Sequence, residues 1–179
     1  MSLVSQVPES TDPTCQAGPV TLLRPLELRD HAAVLDLNAR NVELLAPMDE
    51  QRLAQLVAWA HRADVILAGA EVAGFVFTFG PGTAYDSENY RWFSEHRGDA
   101  FYYLDRIVLA DTHRRLGLGR RVYDELERVA ATYGRMVLEV NIEPANEPSL
   151  AFHRARGYVD VAELGEPGRK VVLMEKILT

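Results

Sequence analysis

The sequence predicts a single α/β domain, with a mixed central sheet of about seven strands and flanking helices. Three observations carry that prediction. Segments with strand-like and helix-like apolar spacing alternate along the chain, without repeats or an internal linker. A glycine-rich turn flanked by arginines, Arg114-Arg115-Leu116-Gly117-Leu118-Gly119-Arg120, separates an apolar strand from a long amphipathic segment. The length of 179 residues suits one domain that buries roughly two-thirds of its unfolded surface.

The elements follow in order. Residues 1–19, rich in Ser, Thr, Pro and Gln, read as a mobile N-terminal tail, and residues 20–179 as the domain. Residues 20–24 form a short first strand, and Arg29-Asp30 offers a cap before His31. Residues 31–45 and 50–61 read as two helices separated by Pro47; in the second, Leu53, Leu56, Val57 and Ala60 share one face. Residues 65–68 and 72–79 make a hairpin about Gly69-Ala70-Glu71, ended by Pro81-Gly82. Residues 87–96 form a short helix carrying Tyr90, Trp92 and Phe93.

Residues 101–109 form the next strand, whose alternation puts Phe101, Tyr103, Asp105, Ile107 and Leu109 on one side. Residues 117–133 form a helix with Leu118, Val122, Leu126, Val129 and Tyr133 on its core stripe. After a strand at 136–142, Asn146 or Pro148 starts a helix that reaches Arg156 and stops at Gly157. Residues 158–162 and 171–177 close the chain as a hairpin around 165–168.

Composition excludes several classes. A net charge of −7 argues against nucleic acid as the main partner, and the basic cluster at 114–121 is local, suiting a small anionic ligand. The single cysteine, Cys15, leaves no intramolecular disulfide, which fits a reducing, cytoplasmic setting. No run approaches the roughly 20 apolar residues of a membrane span, so no membrane partner is expected. His31, His61, His96, His113 and His153 show no paired-ligand spacing, so no metal is expected.

The glycine turn is the place to look for chemistry. Backbone N–H groups at a helix start are unpaired and carry partial positive charge, and glycine lets an anion approach them closely. A P-loop would need GxxxxGK[ST], which is missing. A dinucleotide fingerprint needs a third glycine and a place near the first strand, and neither is met. The turn does match [Q/R]xxGx[G/A], and downstream Asn146-Glu147-Pro148-Ser149-Leu150-Ala151-Phe152-His153-Arg154-Ala155-Arg156-Gly157-Tyr158 is similar to NxxAxxxYxxxGF.

In both motifs, and in element order over roughly residues 20–178, the chain resembles the GNAT superfamily of N-acetyltransferases. The strings Tyr85-Asp86-Ser87, Trp92-Phe93, Leu104-Asp105-Arg106-Ile107-Val108 and Phe152-His153 are similar to a bacterial subgroup of such enzymes. The resemblance implies acetyl-CoA as co-substrate, between the strand ending at Leu109 and the strand starting at Met136. Where those strands splay, the backbone of Ile107, Val108 and Leu109 would face pantetheine, and an N–H there would polarise the thioester. The pyrophosphate would rest on N–H groups from Arg115 through Leu116, Gly117, Leu118 and Gly119 to Arg120, with Arg114, Arg115 or Arg120 adding charge. Asn146 and Phe152 of the second motif complete the implied donor site.

An alkylamine with a pKa of about 10.4 is protonated at neutral pH, so transfer needs a base. Tyr103 and Asp105 occupy positions where family members carry one, and Asp105 is the better candidate; the alternative is that Asp105 pairs with an arginine and braces the sheet. His153 stands where most of the family has the tyrosine that protonates the thiolate. It either keeps that role with a changed pH dependence or only hydrogen-bonds the sulfur or a backbone group, and Tyr123, Tyr102 or Tyr158 substitutes only where the geometry allows. The acceptor site would be lined by Asn38, Asn41 and Glu43, then Tyr85, Asp86, Ser87, Asn89 and Tyr90; Trp92 and Phe93 either join it or pack on the sheet.

Cys15 lies outside both motifs, so direct transfer in a ternary complex is favoured over an acetyl-enzyme. The leading expectation is an N-acetyltransferase for a small-molecule amine. Acetylation of a protein or peptide, and a non-catalytic acyl-CoA-binding regulatory module, are the alternatives. Edge strands of the family often pair, which makes a homodimer an expectation of the resemblance.

Overall fold

In a computed structural model, which describes residues 22–43 and 45–179, the chain builds a seven-stranded sheet in the order β1-β2-β3-β4-β5-β7-β6. The strands are β1 Leu23–Pro25, β2 Arg62–Ala68, β3 Glu71–Phe79, β4 Tyr102–Leu109, β5 Arg135–Glu143, β6 Val159–Glu166 and β7 Arg169–Ile177. The helices are α1 His31–Ala39, α2 Glu50–Trp59, α3 Glu88–Arg97, α4 Leu118–Ala130 and α5 Glu147–Ala155. All sheet neighbours are antiparallel except β4 and β5. The expected tail, Cys15 and the start of the first strand lie outside the described residues. Among the described residues no helix is long and apolar enough to cross a membrane.

Local chemistry sets the ends of these elements. Asp49, Ser87 and Asn146 each accept a hydrogen bond from a backbone N–H in the first turn of α2, α3 and α5, satisfying donors that the helix leaves orphaned. The helix expected over 31–45 stops at Ala39, where the Asn41 amide donates to the Leu37 carbonyl (2.8 Å) and ties off the last turn. The helix expected over 50–61 stops at Trp59, because Ala60 turns extended and His61 N–H joins the sheet at the Thr78 carbonyl.

The sheet separates two apolar layers. Val34, Leu53, Leu56 and Phe93 from α1–α3 pack with Phe75, Phe77, Phe101, Tyr103 and Val108 on one face. Leu118, Val122, Tyr123 and Leu126 of α4 and Leu150 of α5 pack with Tyr102, Leu104, Met136 and Leu138 on the other. Each fully buried side chain of this size contributes about 1.5–3 kcal/mol by leaving water. The core stripe of α4 extends beyond the expected residues to Tyr123 and Ala130, while Val129 and Tyr133 are only partly buried.

One expectation about β4 is corrected. Phe77 of β3 opposes Arg106 while Thr78 opposes Leu104, so Asp105 is an extra residue in the ladder, a β-bulge. Past the bulge the alternation inverts. Phe101 and Tyr103 belong to the α1–α3 layer as expected, but Ile107 and Leu109 pack with the α4–α5 layer. Gly74 of β3 lies opposite Leu109 in a close approach, where a Cβ would strike the Val108 carbonyl.

Candidate active site

The cleft begins where the one parallel pair fails. β4 and β5 are in register only at Tyr102↔Met136 and Tyr103↔Val137; beyond that, β4 keeps β3 but leaves β5. A cleft of about 1300 Å³ opens in the fork, lined by Leu104 through Leu109 of β4 and Leu138 through Asn141 of β5. One end is walled by Arg114, Arg115, Gly117, Gly119 and Arg120, the other by Arg52, Tyr85, Asp86, Ser87 and Asn89.

The first end is an anion cradle made mostly of backbone. Arg115 (φ 63°) and Gly117 (φ 79°) both take left-handed conformations, which swing the chain from β4 into α4. The α4 ladder starts with Arg121 N–H donating to the Gly117 carbonyl (3.2 Å), so the N–H groups of Leu118, Gly119 and Arg120 have no partner within the helix. Leu118 gives only its backbone, its side chain being buried in the core, and Leu116 points away at 65% exposure. Arg114 is engaged: its guanidinium donates to the Leu109 carbonyl (3.2 Å) and to Asn41 Oδ1 (2.9 Å) and pairs with Asp111 (3.0 Å). Asn146 and Phe152 line the same cleft, with Asn146 also capping α5.

Besides Asp86, the second end holds two carboxylates carried by strands, Asp105 of β4 and Glu139 of β5. The bulge turns the Asp105 side chain, only 6% exposed, toward the Tyr85 hydroxyl, which donates to it (2.5 Å), and the Arg106 guanidinium (3.0 Å). Arg106 is in turn held by Asn38 Oδ1 (2.8 Å) and the Ala46 carbonyl (3.0 Å). Burial pushes the Asp105 carboxyl above its ordinary range, against the pull of Arg106 and Tyr85. Glu139 of β5 accepts from the Tyr103 hydroxyl (2.6 Å) and from Asn89. Burial, and then the neighbouring Asp105 charge, push Glu139 up to about 8.

His153 and Tyr123 line the cleft as well. The His153 Nδ1 sits 2.7 Å from the Ser149 carbonyl, and its Nε2 sits 2.6 Å from the Tyr123 hydroxyl. Burial lowers the imidazole to about 4. A strand-turn-helix anion cradle thus shares one cleft, opened by a split parallel pair, with two strand carboxylates.

Comparison with known proteins agrees. A family model described as the acetyltransferase (GNAT) family matches residues 31–158. The chain belongs to that family. Among solved structures, Ard1 from Thermoplasma volcanium superposes with a TM-score of 0.68 at 15% identity, over 88% of this chain and 97% of that one. The ribosomal-protein-S18-alanine N-acetyltransferase of Escherichia coli gives 0.63 at 17%, over 88% and 93%. The yncA acetyltransferase of Salmonella typhimurium, solved with its cofactor acetyl-CoA, gives 0.63 at 19%, over 88% and 93%. No curated protein sequence matched the chain.

Seen as a GNAT acetyltransferase, the chain brings together most of the residues its sequence singles out. Tyr85, Asp86, Asp105, Ile107, Val108, Leu109, Arg114, Arg115, Gly117, Gly119, Arg120, Asn146, Phe152 and His153 all line one cleft, as does Asn41 through the side that holds Arg114. Tyr103 reaches it only through Glu139. Two expected acceptor contacts are corrected. Asn38, 1% exposed, is spent on Arg106 and on the Ala46 carbonyl. Tyr90 is buried, donates to the Gly80 carbonyl (2.8 Å) and accepts from Thr83 N–H (3.1 Å). Neither lines the cleft, because both stiffen the frame behind it.

Phe93 is buried against Phe101 and Tyr103, and Trp92 stacks on His96 (3.9 Å), so both belong to the packing of α3. Glu139 and Arg52 are cleft residues that sequence reasoning missed, while Tyr123, a substitute candidate for the acid role, does line the cleft. Arg52 of α2 clasps Asp86 (2.6 and 3.0 Å) across the acceptor end and lies over the Trp59 and Tyr85 rings. For Glu139 a signal existed: a lone carboxylate in the apolar run Met136-Val137-Leu138-Glu139-Val140 is costly to bury and marks a site.

Proposed function

We propose that this acetyltransferase passes an acetyl group from acetyl-CoA directly to the amine of a small molecule, with donor and acceptor bound together. The observation that carries the reading is the pair of carboxylates Asp105 and Glu139, set in the same cleft as the free N-terminus of α4. The donor end fits the group. Three unpartnered N–H groups and the Arg115 and Arg120 side chains suit a pyrophosphate, and the unpaired edge of β4 at Ile107–Leu109 suits an amide-bearing arm. Bound acetyl-CoA supplies an activated acyl group as a thioester.

The chain's own residues do the remaining work. An amine attacks only when neutral, so a group in the acceptor half must take its proton. Both Asp105 oxygens are already taken, Oδ1 by the Tyr85 hydroxyl and Oδ2 by the Arg106 guanidinium, which leaves it poorly placed to accept the amine proton. Glu139 receives bonds only from the neutral Tyr103 hydroxyl and Asn89, and lies close to the operating pH at about 8. Glu139 is therefore the base in this reading, directly or through a water, with Asp105 raising its affinity for the proton. The Arg52–Asp86 clasp joins α2 to the segment ahead of α3 across the acceptor end, which favours a compact amine over a peptide strand.

The test is thiol release from acetyl-CoA against panels of small amines, amino acids and peptides. Saturable turnover with a small amine is the expected outcome. Turnover confined to peptides would move the reading to protein acetylation, and coenzyme A binding without turnover on any panel would leave a binding module.

A further inference from the structure

Transfer from a thioester leaves a sulfur anion, and the side chain that meets it is written in the Tyr123–His153 pair. The Ser149 carbonyl can only accept a hydrogen bond, so His153 Nδ1, 2.7 Å away, must carry the ring proton. The ring is neutral at physiological pH, since burial holds it at about 4; the charges that face it, Arg156 at the end of α5 and Glu127 on α4, pair with each other (2.9 Å). A neutral ring protonated at Nδ1 has only a lone pair at Nε2. The 2.6 Å contact is thus Tyr123 O–H donating to Nε2, and His153 has no proton to offer the cleft.

We propose that Tyr123, on the α4 wall of the cleft, donates the hydrogen bond that stabilises the departing thiolate, and that His153 is a positioning residue that holds this hydroxyl in place. The inference rests on the acyl-CoA reading above. A hydroxyl has one hydrogen, which a neutral nitrogen keeps until a charged acceptor, about twice as strong, arrives. As the carbon–sulfur bond breaks, its electron pair stays on sulfur and the Tyr123 hydrogen turns from Nε2 toward it. Burial pushes the Tyr123 phenol far above a thiol, so Tyr123 keeps its proton. The proton taken from the amine by Glu139 leaves through water, and the thiolate is neutralised by solvent after release.

The experiment compares the full chain with Tyr123→Phe and His153→Gln, which keeps an acceptor for the hydroxyl. Tyr123→Phe should lower turnover about 100-fold, with coenzyme A affinity within about twofold. His153→Gln should lose about fivefold, the worth of one neutral hydrogen bond. Two readouts do not need turnover. Nitrogen-15 NMR of the free enzyme should find the His153 proton on Nδ1 from pH 5.5 to 8 (about two pKa units around the free value). The thiol of bound coenzyme A, followed by thiolate absorbance, should ionise about one unit higher in Tyr123→Phe than in the parent.

A ring protonated at Nε2, a ring titrating near its ordinary value, an unmoved thiol, or a larger loss in His153→Gln than in Tyr123→Phe would each overturn the assignment. If the parent transfers acetyl to no amine, the acyl-transfer reading falls, while the NMR and thiol measurements still judge Tyr123. Should Tyr123→Phe fail to fold, the ring tautomer and His153→Gln decide.

Discussion

At the donor end of the cleft the working parts lie within seven consecutive residues, Arg114 to Arg120, and most of them are backbone. At the acceptor end they are side chains gathered from α2, the segment ahead of α3, β4 and β5, each held by another. The first end works through local conformation and tolerates change in most of its side chains. The second works through burial and charge, so one substitution there alters several groups at once. Chemistry that must recognise an invariant donor can be carried by backbone, whereas chemistry that must tune a proton needs a built interior.

The contrast can be broken most sharply at Glu139. Glu139→Gln should cut kcat roughly 10²–10⁴-fold while leaving coenzyme A affinity, measured by calorimetry, unchanged. An equal loss of affinity would show that the two ends are not separable. At the donor end, Gly117→Ala forces a Cβ into a left-handed conformation at φ 79° and should weaken coenzyme A about tenfold with kcat retained.

A finer effect concerns pH. With Glu139 at about 8, kcat/KM should fall as the pH drops below about 8, because the base becomes protonated. Asp105→Asn removes a neighbouring negative charge, so the acidic limb should move to lower pH; an unmoved limb would separate the two carboxylates. The smallest effect is on stability. A carboxyl raised in the folded state stabilises the fold at low pH, and that contribution is lost as the pH rises from its unfolded value through about 8. Thermal melts of Glu139→Gln should therefore show a gain over the parent that is larger at pH 8.5 (about half a unit above that value) than at pH 6.

The same contrast explains what the sequence could tell. The donor loop was legible because its meaning is local: a strand, left-handed glycine, and a helix start follow one another in the chain. The helices and strands were legible in kind because apolar spacing is local too. Their ends were less so, since α1 stops at a side-chain bond from Asn41 and α2 stops where His61 meets Thr78, across the sheet. The bulge at Asp105 depends on the register of β3 against β4, and no pattern within residues 101–109 contains it. Asn38 and Tyr90 were placed in the right neighbourhood but on its far side, because a polar group facing a ligand and one facing a buried arginine or carbonyl are the same letters.

The extra residue in β4 also has a bearing on how such a chain varies. Upstream of Asp105 the odd-numbered residues face α1–α3; downstream they face α4–α5. Deleting that one codon would remove the carboxylate and close the bulge, with Phe77 still opposite Arg106 and Thr78 opposite Leu104, so Ile107, Val108 and Leu109 would keep their layers. A one-residue deletion elsewhere in β4 would reverse the parity of everything beyond it. The frame of the strand can lose its extra residue while the chemistry of the cleft cannot, so other changes of length belong in the connections between strands.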